Sequence, residues 1–540
     1  MLDWALQKRS RFGVLLLAYF GLHVIVRVAL SGALDYDEAE QVFLSQWLSL
    51  GYNSQPPLYT WMQTGLFQLF GYGVMPLALL KNTLLLLTYL SVFGMVNKVT
   101  GSAAMSWAAS LAMMTIPQIA WESHRDLSHS VAVTFAVSLL MYCVVSLRHQ
   151  PHWKWYVAIG LSCGFGLLSK YNFAIVILAV MGSAITVPSY RRWLLDRRLL
   201  LSLLVAVIVV SPHLYWASGH LQLASSKTIA TLTTAQTDHY AVNVARGLYA
   251  LFTSTLACTV LTLVIVAVAF RDSLKNRFLK NGLNQGESRS VATDPSVLLL
   301  ERSLLLIGVM LTLLVLSGHG LEFKNRWIQP FVCLFPAYLI LRWGHLAAAD
   351  RVALNRVCLT GVTFMAVVLI AVIARPISAQ RRNEVTWLNI PYPTFAQSIV
   401  EQTGRVPTII IAPHTHAAGN LKLQFPSARV VAMDQRHLVD PQSLLEIMAR
   451  GDQDVIVATD RLTRIDYQYL SEFAIEMVGQ PTDRVAWQHD EYRCLYGDAS
   501  ATMTLSFARL EQGVDPIAAR EAPVSASDRT AILPSGSVLH

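Results

Sequence analysis

The sequence predicts a mainly α-helical fold, a polytopic membrane bundle of about eleven transmembrane helices followed by a small α/β domain. Three observations lead to this class. Of the 540 residues, 54% are apolar and only 14% are charged, and the mean hydropathy is +0.44. Apolar stretches of about twenty residues recur, each long enough to cross roughly 30 Å of hydrocarbon as a helix. After about residue 376 they give way to short β-branched runs separated by helix-length intervals.

The predicted spans follow one another from residue 12, and the fifth, sixth and ninth are short. They cover approximately residues 12–31, 76–96, 103–121, 128–147, 154–169, 172–188, 199–217, 248–270, 304–318, 326–343 and 357–375. Lys and Arg concentrate in alternate short loops, which places these loops and the N-terminus in the cytoplasm. The other loops and the region after residue 376 then face outward, so we expect an inner-membrane protein with an extracytoplasmic C-terminal domain. The net charge of +8 reflects this topology and not nucleic-acid binding, because the bases sit at span ends.

The first outer loop predicts two amphipathic helices that lie on the membrane surface. From Glu38 to Leu50, apolar residues fall on one face and polar residues on the other. Pro56 and Pro57 end this helix, and apolar residues recur at helical spacing again from Leu58 to Leu69.

The C-terminal region predicts an α/β domain with at least three strands. The β-branched runs are residues 408–412, 429–433 and 454–458. From about residue 515 the chain has no apolar period, which is typical of a disordered tail. We therefore divide the sequence into a transmembrane domain at 1–375, an extracytoplasmic α/β domain at 376–514 and a tail at 515–540.

A cluster of carboxylates directly follows the first span, in the run from Asp35 to Glu40. Carboxylates beside a bilayer are unfavourable unless they bind a cation, pair with a base or act on a substrate. Asp37 or Glu38 has the chemistry of a general base for an acceptor hydroxyl or phosphate. The alternative is a helix N-terminus rich in acids, which the helix dipole favours. Spacing alone leaves both interpretations open.

Several other spans end in polar residues that an apolar bundle does not need. They are residues 121–126, 169–172 and 318–326, all on the same side as Asp37 under the predicted topology. The cations Arg125, Lys170, Lys324 and Arg326 in these segments have the charge to hold a lipid-linked phosphate. Each of them alone is equally explained by a long side chain reaching the interface, so the set is more informative than its members.

No metal ligands are predicted with certainty from spacing. His124, His239 and His319 have no partner at ligand spacing, so a hydrogen-bonded structural role is favoured. His414 and His416 follow a predicted strand, and a strand-end loop leading into a helix accounts for them as well as a metal does. We therefore assign no metal ligands, and assistance by a divalent metal ion stays open.

The motifs of the first loop resemble those of a known superfamily. In order they are Asp37-Glu38, an amphipathic helix, Gly51-Tyr52, Gln55-Pro56-Pro57-Leu58, Trp61 and Phe70-Gly71, and Leu168 to Tyr171 adds a further match. This pattern resembles the GT-C membrane glycosyltransferases of families 39 and 83. They include protein O-mannosyltransferases and the bacterial aminoarabinose and galacturonic acid transferases of lipid A. The resemblance covers roughly residues 1–375.

The resemblance implies an enzyme that takes a sugar from a polyprenyl-phosphate carrier and transfers it, with inversion, on the outer face of the membrane. The acceptor is a lipid A or lipopolysaccharide glycolipid, another envelope glycan or a protein. By similarity Asp37 is the catalytic residue, with Glu38 beside it and Asp126 as a second acidic site. Relatives often carry Lys or His where this chain has Gln55, and a neutral amide binds a phosphate without neutralising it. Tyr171 and the cations named above are the remaining candidates for binding the carrier phosphate.

Two other functions remain alternatives at this stage. A flippase or transporter of lipid-linked saccharides would use the same basic cavity without making a bond. Transporters commonly show paired half-repeats and charges near the bilayer midplane, whereas here the polar residues cluster at one face and no repeat is visible. A lipid-linked polymerase or ligase would differ mainly in its acceptor.

Overall fold

The computed structural model describes residues 9–225, 239–273, 294–318, 320–343, 351–382, 386–439, 454–460, 464–478, 485–497 and 501–510, with a few single positions between them. The predicted tail at 515–540 and His319 lie outside these residues. Within them the chain is a helical bundle joined to a mixed β-sheet domain, as the sequence predicts.

The helices up to the end of the bundle follow in chain order. They are α1 Arg9–Leu30, α2 Tyr36–Leu44, α3 Leu58–Phe70, α4 Val74–Thr100, α5 Ala103–Leu111, α6 His129–His149, α7 Trp153–Ser169, α8 Phe173–Thr186, α9 Pro188–Leu194, α10 Leu199–Gly219, α11 Tyr240–Ala269, α12 Pro295–Leu316, α13 Asn325–Val332, α14 Phe335–Arg342 and α15 Arg351–Ser378. Among the described residues, seven of them are long and apolar enough to cross a membrane: α1, α4, α6, α10, α11, α12 and α15. An eighth span results if the bent pair α8 and α9 is counted as one.

The predicted number of eleven spans is not confirmed, because the other four apolar stretches form short or broken helices. The third stretch begins as α5, continues as a 3₁₀ turn and ends in a π-helix at Gln118–Glu122 that follows Pro117. The axes of α8 and α9 meet at 117° where Pro188 begins the second helix. Proline lacks the amide hydrogen that helix continuation requires, so these breaks follow from the sequence.

The two helices of the first loop are confirmed as α2 and α3, but α2 ends at Leu44 and not at Leu50. The hydroxyl of Ser45 donates to the carbonyl of Val42 at 2.9 Å at the point where the helix stops. All residues of α2 from Glu38 to Leu44 are buried. The helix is therefore enclosed by the rest of the protein, and its polar face is not left open to water.

The C-terminal domain contains a five-stranded sheet with strand order β2-β1-β3-β5-β4. Its elements are α16 Tyr392–Thr403, β1 Ile409–Ala412, α17 Thr415–Gln424, β2 Arg429–Ala432, β3 Val455–Thr459, α18 Arg464–Val478, β4 Gln488–Arg493 and β5 Thr502–Leu510. The first three strands are parallel and match the predicted runs, whereas β5 pairs antiparallel to β3 and to β4. The boundaries drawn at residues 375 and 514 stay a prediction.

The sheet domain is docked directly on α2. A Cβ atom at Gly419 of α17 would lie 2.0 Å from the carbonyl oxygen of Ala39, so only glycine permits this approach. The amide of Leu34 donates to Asn420 Oδ1 at 2.8 Å, and Gln46 bonds both backbone groups of Val430. These contacts fix the orientation of the helix that carries Asp37.

Candidate active site

Asp37 lies in the first turn of α2, and the segment before α6 holds it in place. Asp37 Oδ2 accepts hydrogen bonds from the amide and the hydroxyl of Ser128, each at 3.0 Å. The amide of Asp37 in turn donates to Asp126 Oδ1 at 3.0 Å. The structure thus brings together two of the three predicted catalytic carboxylates, from parts of the chain about ninety residues apart.

Asp126 is a carboxyl group that resists ionisation. Burial raises its pKa to about 8, reinforced by the negative charges of Asp37 and Asp35. At neutral pH a protonated carboxyl therefore stands beside Asp37. A buried carboxyl that keeps its proton can donate a hydrogen bond, as acidic groups of enzyme active sites do.

Two cations face this acidic pair. Lys170, at the end of α7, is buried, and its Nζ donates to Ser130 Oγ at 2.7 Å. Burial, together with the positive charge of Arg326 in the first turn of α13, lowers the pKa of Lys170 to about 7. An anion that binds between two cations relieves their repulsion, and this effect is larger where water is partly excluded. The pair is therefore suited to bind an anion such as a phosphate.

Gln55 lies at another side of the same space and is half-buried. The backbone N–H of Gln55 donates to Asn53 Oδ1 at 2.8 Å, and Asn53 Nδ2 donates to Glu40 Oε1 at 3.1 Å. The rigid turn before Pro56 therefore positions Gln55 at the site as the motif implies, although as a neutral group.

The last helix of the bundle and the segment after it form the opposite wall. Arg375 of α15 binds Asp35 through two contacts of 3.2 and 3.3 Å. Arg382 pairs with Glu384 at 2.9 Å, and Trp387 covers the space from the side of the sheet domain. Bidentate pairing of Arg375 holds the residue before α2 against the bundle.

These groups enclose one cavity of about 900 Å³. Its charged lining residues are Asp35, Asp37, Glu40, Asp126 and Glu384 with Arg125, Lys170, Arg326, Arg375 and Arg382. A space of this size accommodates a sugar together with a phosphate.

Glu38, the third predicted catalytic residue, points away from this cavity. Arg27 of α1 binds its carboxylate at 2.5 Å, and Lys81 of α4 lies 3.5 Å from it. Burial opposes ionisation here, but Arg27 and Lys81 hold the pKa of Glu38 at about 2. Glu38 and Lys81 are buried and Arg27 is only 11% exposed, so Glu38 ties α2 to two spans of the bundle.

The remaining predicted residues differ in how close they come to the centre. Arg125 lines the cavity while paired with Glu122 at 3.0 Å. Tyr171 follows Lys170 in the chain but turns away, and its hydroxyl bonds His213 Nε2 at 2.9 Å. Lys324 is exposed before α13 and does not line the cavity.

Tyr171 and His213 instead lie at one end of an apolar groove of about 550 Å³. The groove runs between α6, α7, α8 and α10 and reaches Trp193 and Leu199 at its far end. It therefore extends along the depth of the bundle from a point beside Lys170.

The sequence interpretation missed Ser128, Ser130 and Arg375. Ser128 precedes α6 and gives a local signal only for a helix start, not for its contact with Asp37. Arg375 resembles a cation at a span end, and its partner Asp35 is 340 residues away. Only the tertiary fold shows these pairings.

Residues 54–216 match the family described as dolichyl-phosphate-mannose-protein mannosyltransferase. The lipopolysaccharide core galacturonosyltransferase RgtA of Rhizobium johnstonii is 33% identical over 435 residues, which are 80% of this chain and 84% of the relative. The chain belongs to the GT-C superfamily of membrane glycosyltransferases. A second lipopolysaccharide core galacturonosyltransferase of the same organism, RgtB, is 34% identical to this chain. The match covers 78% of this chain and 82% of RgtB.

The fold of this GT-C glycosyltransferase is similar to that of ArnT from Cupriavidus metallidurans, solved in complex with undecaprenyl phosphate. The TM-score is 0.57, and the match covers 92% of this chain and 98% of ArnT. The identity is 12%, so this likeness concerns the fold alone.

Proposed function

We propose that this glycosyltransferase transfers a uronic acid from a polyprenyl-phosphate carrier to a lipopolysaccharide saccharide on the outer face of the inner membrane. Galacturonic acid is the uronic acid that we favour. The names of the relatives RgtA and RgtB support the donor sugar and the acceptor. The observation that carries the proposal is the single cavity in which Asp37 faces Lys170 and Arg326.

The reaction is a direct displacement at the anomeric carbon. Asp37, held by Ser128, orients an acceptor hydroxyl and takes its proton as the oxygen attacks. The bond to the carrier phosphate breaks, and Lys170 and Arg326 stabilise the charge that develops on the departing polyprenyl phosphate. The configuration at the anomeric carbon inverts because attack and departure occur on opposite faces.

The carrier is placed by two features that lie next to each other. Lys170 supplies the charge for the phosphate, and the groove that begins at Tyr171 supplies an apolar surface for the prenyl chain. Gln55, at the position where relatives carry a cation, donates a hydrogen bond to the phosphate. The charge missing there is supplied by Lys170.

A uronate donor brings a carboxylate in addition to the phosphate. Arg125 and Arg382 also line the cavity; Arg125 is half-buried in its pair with Glu122, and Arg382 is exposed in its pair with Glu384. Exposed pairs of this kind are weak, so an arriving carboxylate can exchange with Glu122 or Glu384 at low cost.

The proposal is tested with purified protein in proteoliposomes that contain lipopolysaccharide core acceptor and synthetic polyprenyl-phosphate galacturonic acid. Mass spectrometry should show the acceptor heavier by one hexuronic acid and the carrier released as polyprenyl phosphate. The matched control is the same carrier with galactose, which lacks only the carboxylate. Equal transfer of galactose overturns the assignment of a uronate donor. Movement of the intact carrier across the membrane without a glycosylated product overturns the assignment as a transferase.

A further inference from the structure

The three parallel strands of the sheet end against the segment that precedes α2. His414 and His416 follow β1, Asp434 follows β2, and Asp460 directly follows β3. Loops at the carboxyl ends of neighbouring parallel strands meet at one edge of the sheet. Two histidines of one loop and a carboxylate of the next therefore come together, although they are far apart in the sequence.

The donor atoms of His414, His416 and Asp460 lie within 4.8 Å of one another. His414 Nε2 is 3.1 Å from Asp460 Oδ1, and His416 Nδ1 is 3.7 Å from Asp460 Oδ2. His416 and Asp460 are buried, while the side chain of His414 is 33% exposed. The cluster is thus closed on the protein side and reachable from solvent past His414.

The hydrogen bonds of His416 decide which of its nitrogens carries the proton. Its Nε2 lies 2.8 Å from the carbonyl oxygen of Leu34, which only accepts, and 3.2 Å from Asn420 Nδ2, which only donates; the shorter contact assigns Nε2 as the donor. The lone pair is therefore on Nδ1, which is buried and has no hydrogen-bond partner among the described residues. An imidazole oriented by a bond from its other nitrogen to a carbonyl is the usual arrangement of a metal-binding histidine.

The carboxylate of Asp460 faces the lone pair on His416 Nδ1, and both groups are hydrogen-bond acceptors. Its Oδ2 accepts a hydrogen bond from the hydroxyl of Tyr392, and its Oδ1 is buried and pairs with His414 Nε2 at 3.1 Å. A carboxylate and an unprotonated nitrogen that face each other in a buried place repel unless a cation lies between them.

We propose that His414, His416 and Asp460 bind a divalent transition-metal ion, with Zn²⁺ as the preferred ion. Two imidazole nitrogens and one carboxylate oxygen are a common three-ligand set for zinc, and the exposed side at His414 leaves the fourth position to water. His414 Nδ1 accepts a hydrogen bond from the backbone amide of Ala417 at 3.2 Å. Coordination through Nε2 moves the His414 proton to Nδ1, so this bond is exchanged for the bond to the metal.

The ion lies behind Trp387, outside the catalytic cavity. The rings of Trp387 and His416 are 4.2 Å apart, and Leu34 is three residues before Asp37. A metal at this point joins two loops of the sheet domain and, through His416, the segment that leads into α2. Its effect is to hold the domain on the catalytic helix, and the proposal is independent of the donor sugar.

The test uses full-length protein in detergent, purified without a polyhistidine tag, stripped with a chelator and dialysed against ZnCl₂. Metal content is measured by mass spectrometry, and thermal unfolding is followed with and without zinc. The variants are His414→Gln and Asp460→Asn. His489→Gln is the matched control, because His489 lies in the same domain, is exposed and bonds Ser506 outside the cluster.

Wild type and the His489→Gln variant should hold about one zinc per chain and unfold at a higher temperature with zinc. His414→Gln and Asp460→Asn should lose most of the zinc and the zinc-dependent shift. If Asp460→Asn does not fold, His414→Gln decides, because its side chain is partly exposed. Zinc content in wild type no higher than in His414→Gln overturns the proposal, as does a zinc shift that His414→Gln leaves intact.

Discussion

Replacing Asp37 with Asn should remove most of the transferase activity without disturbing the fold. The amide oxygen of Asn can still accept both hydrogen bonds from Ser128, so the geometry at 3.0 Å is kept while the negative charge is lost. General-base catalysis contributes about 10²- to 10⁴-fold, and the loss of kcat should fall in that range.

The Ser128→Ala variant tests the contact between Asp37 and Ser128 by changing the hydrogen-bond donor. It removes one of the two donors, the hydroxyl, and leaves the backbone amide in place. A hydrogen bond to a charged group is worth about 1.5–3 kcal/mol, so kcat should fall about 10- to 150-fold. Because Ser128 acts through Asp37, adding Ser128→Ala to Asp37→Asn should cost little more.

The assay follows transfer from the lipid carrier in proteoliposomes by mass spectrometry, with thermal unfolding of each variant as a check on the fold. Glu322→Gln is the matched control, because Glu322 is exposed and does not line the cavity. The reasoning is refuted if Asp37→Asn keeps the activity of Glu322→Gln, or if the effects of Ser128→Ala and Asp37→Asn multiply in the double variant.

Three further predictions concern charged groups around this centre. With a pKa of about 8, folded Asp126 holds a proton that the unfolded chain has lost, so thermal stability should fall as the pH rises from about 4 to 8. Asp126→Asn should flatten this dependence; an unchanged slope contradicts the burial argument. Lys170→Gln should lower kcat/KM for the carrier about tenfold or more and remove the decline of kcat/KM above pH about 7, whereas an unchanged kcat/KM speaks against a carrier contact. Glu38→Gln leaves Arg27 and Lys81 buried without their partner, which should cost about 3–5 kcal/mol of unfolding free energy. Chemical denaturation measures this loss, and a change below about 1 kcal/mol argues against a buried ion pair.

Local patterns in the sequence were sufficient for the helical bundle and the parallel part of the sheet. Long apolar stretches and β-branched runs such as 408–412 can be recognised as buried elements from their own residues. Their recognition does not depend on knowing which other segments they pack against. The eleven predicted spans are not all confirmed as single long helices, because apolarity was counted without the helix-breaking effect of Pro117 and Pro188. Strand β4 was not foreseen because Gln488–Arg493 is polar and forms a strand only through pairing with β5.

The candidate site was predictable to the extent that its residues share a motif. Asp37 follows the first span in a recognisable run, and Lys170 interrupts two apolar stretches. The groups that set their properties, Ser128 for Asp37 and Ser130 for Lys170, are brought in by tertiary packing. No local pattern encodes a contact across 91 residues.

The close approach of Gly419 to Ala39 has a consequence for protein engineering. The sheet domain and the first loop share one interface with no room for a side chain, so neither can be exchanged without the other. A chimera that takes only the sheet domain from a relative would meet a loop shaped for a different surface. A chimera that takes residues 32–46 together with the sheet domain keeps the interface intact, and only this second design should fold with the domain docked on α2.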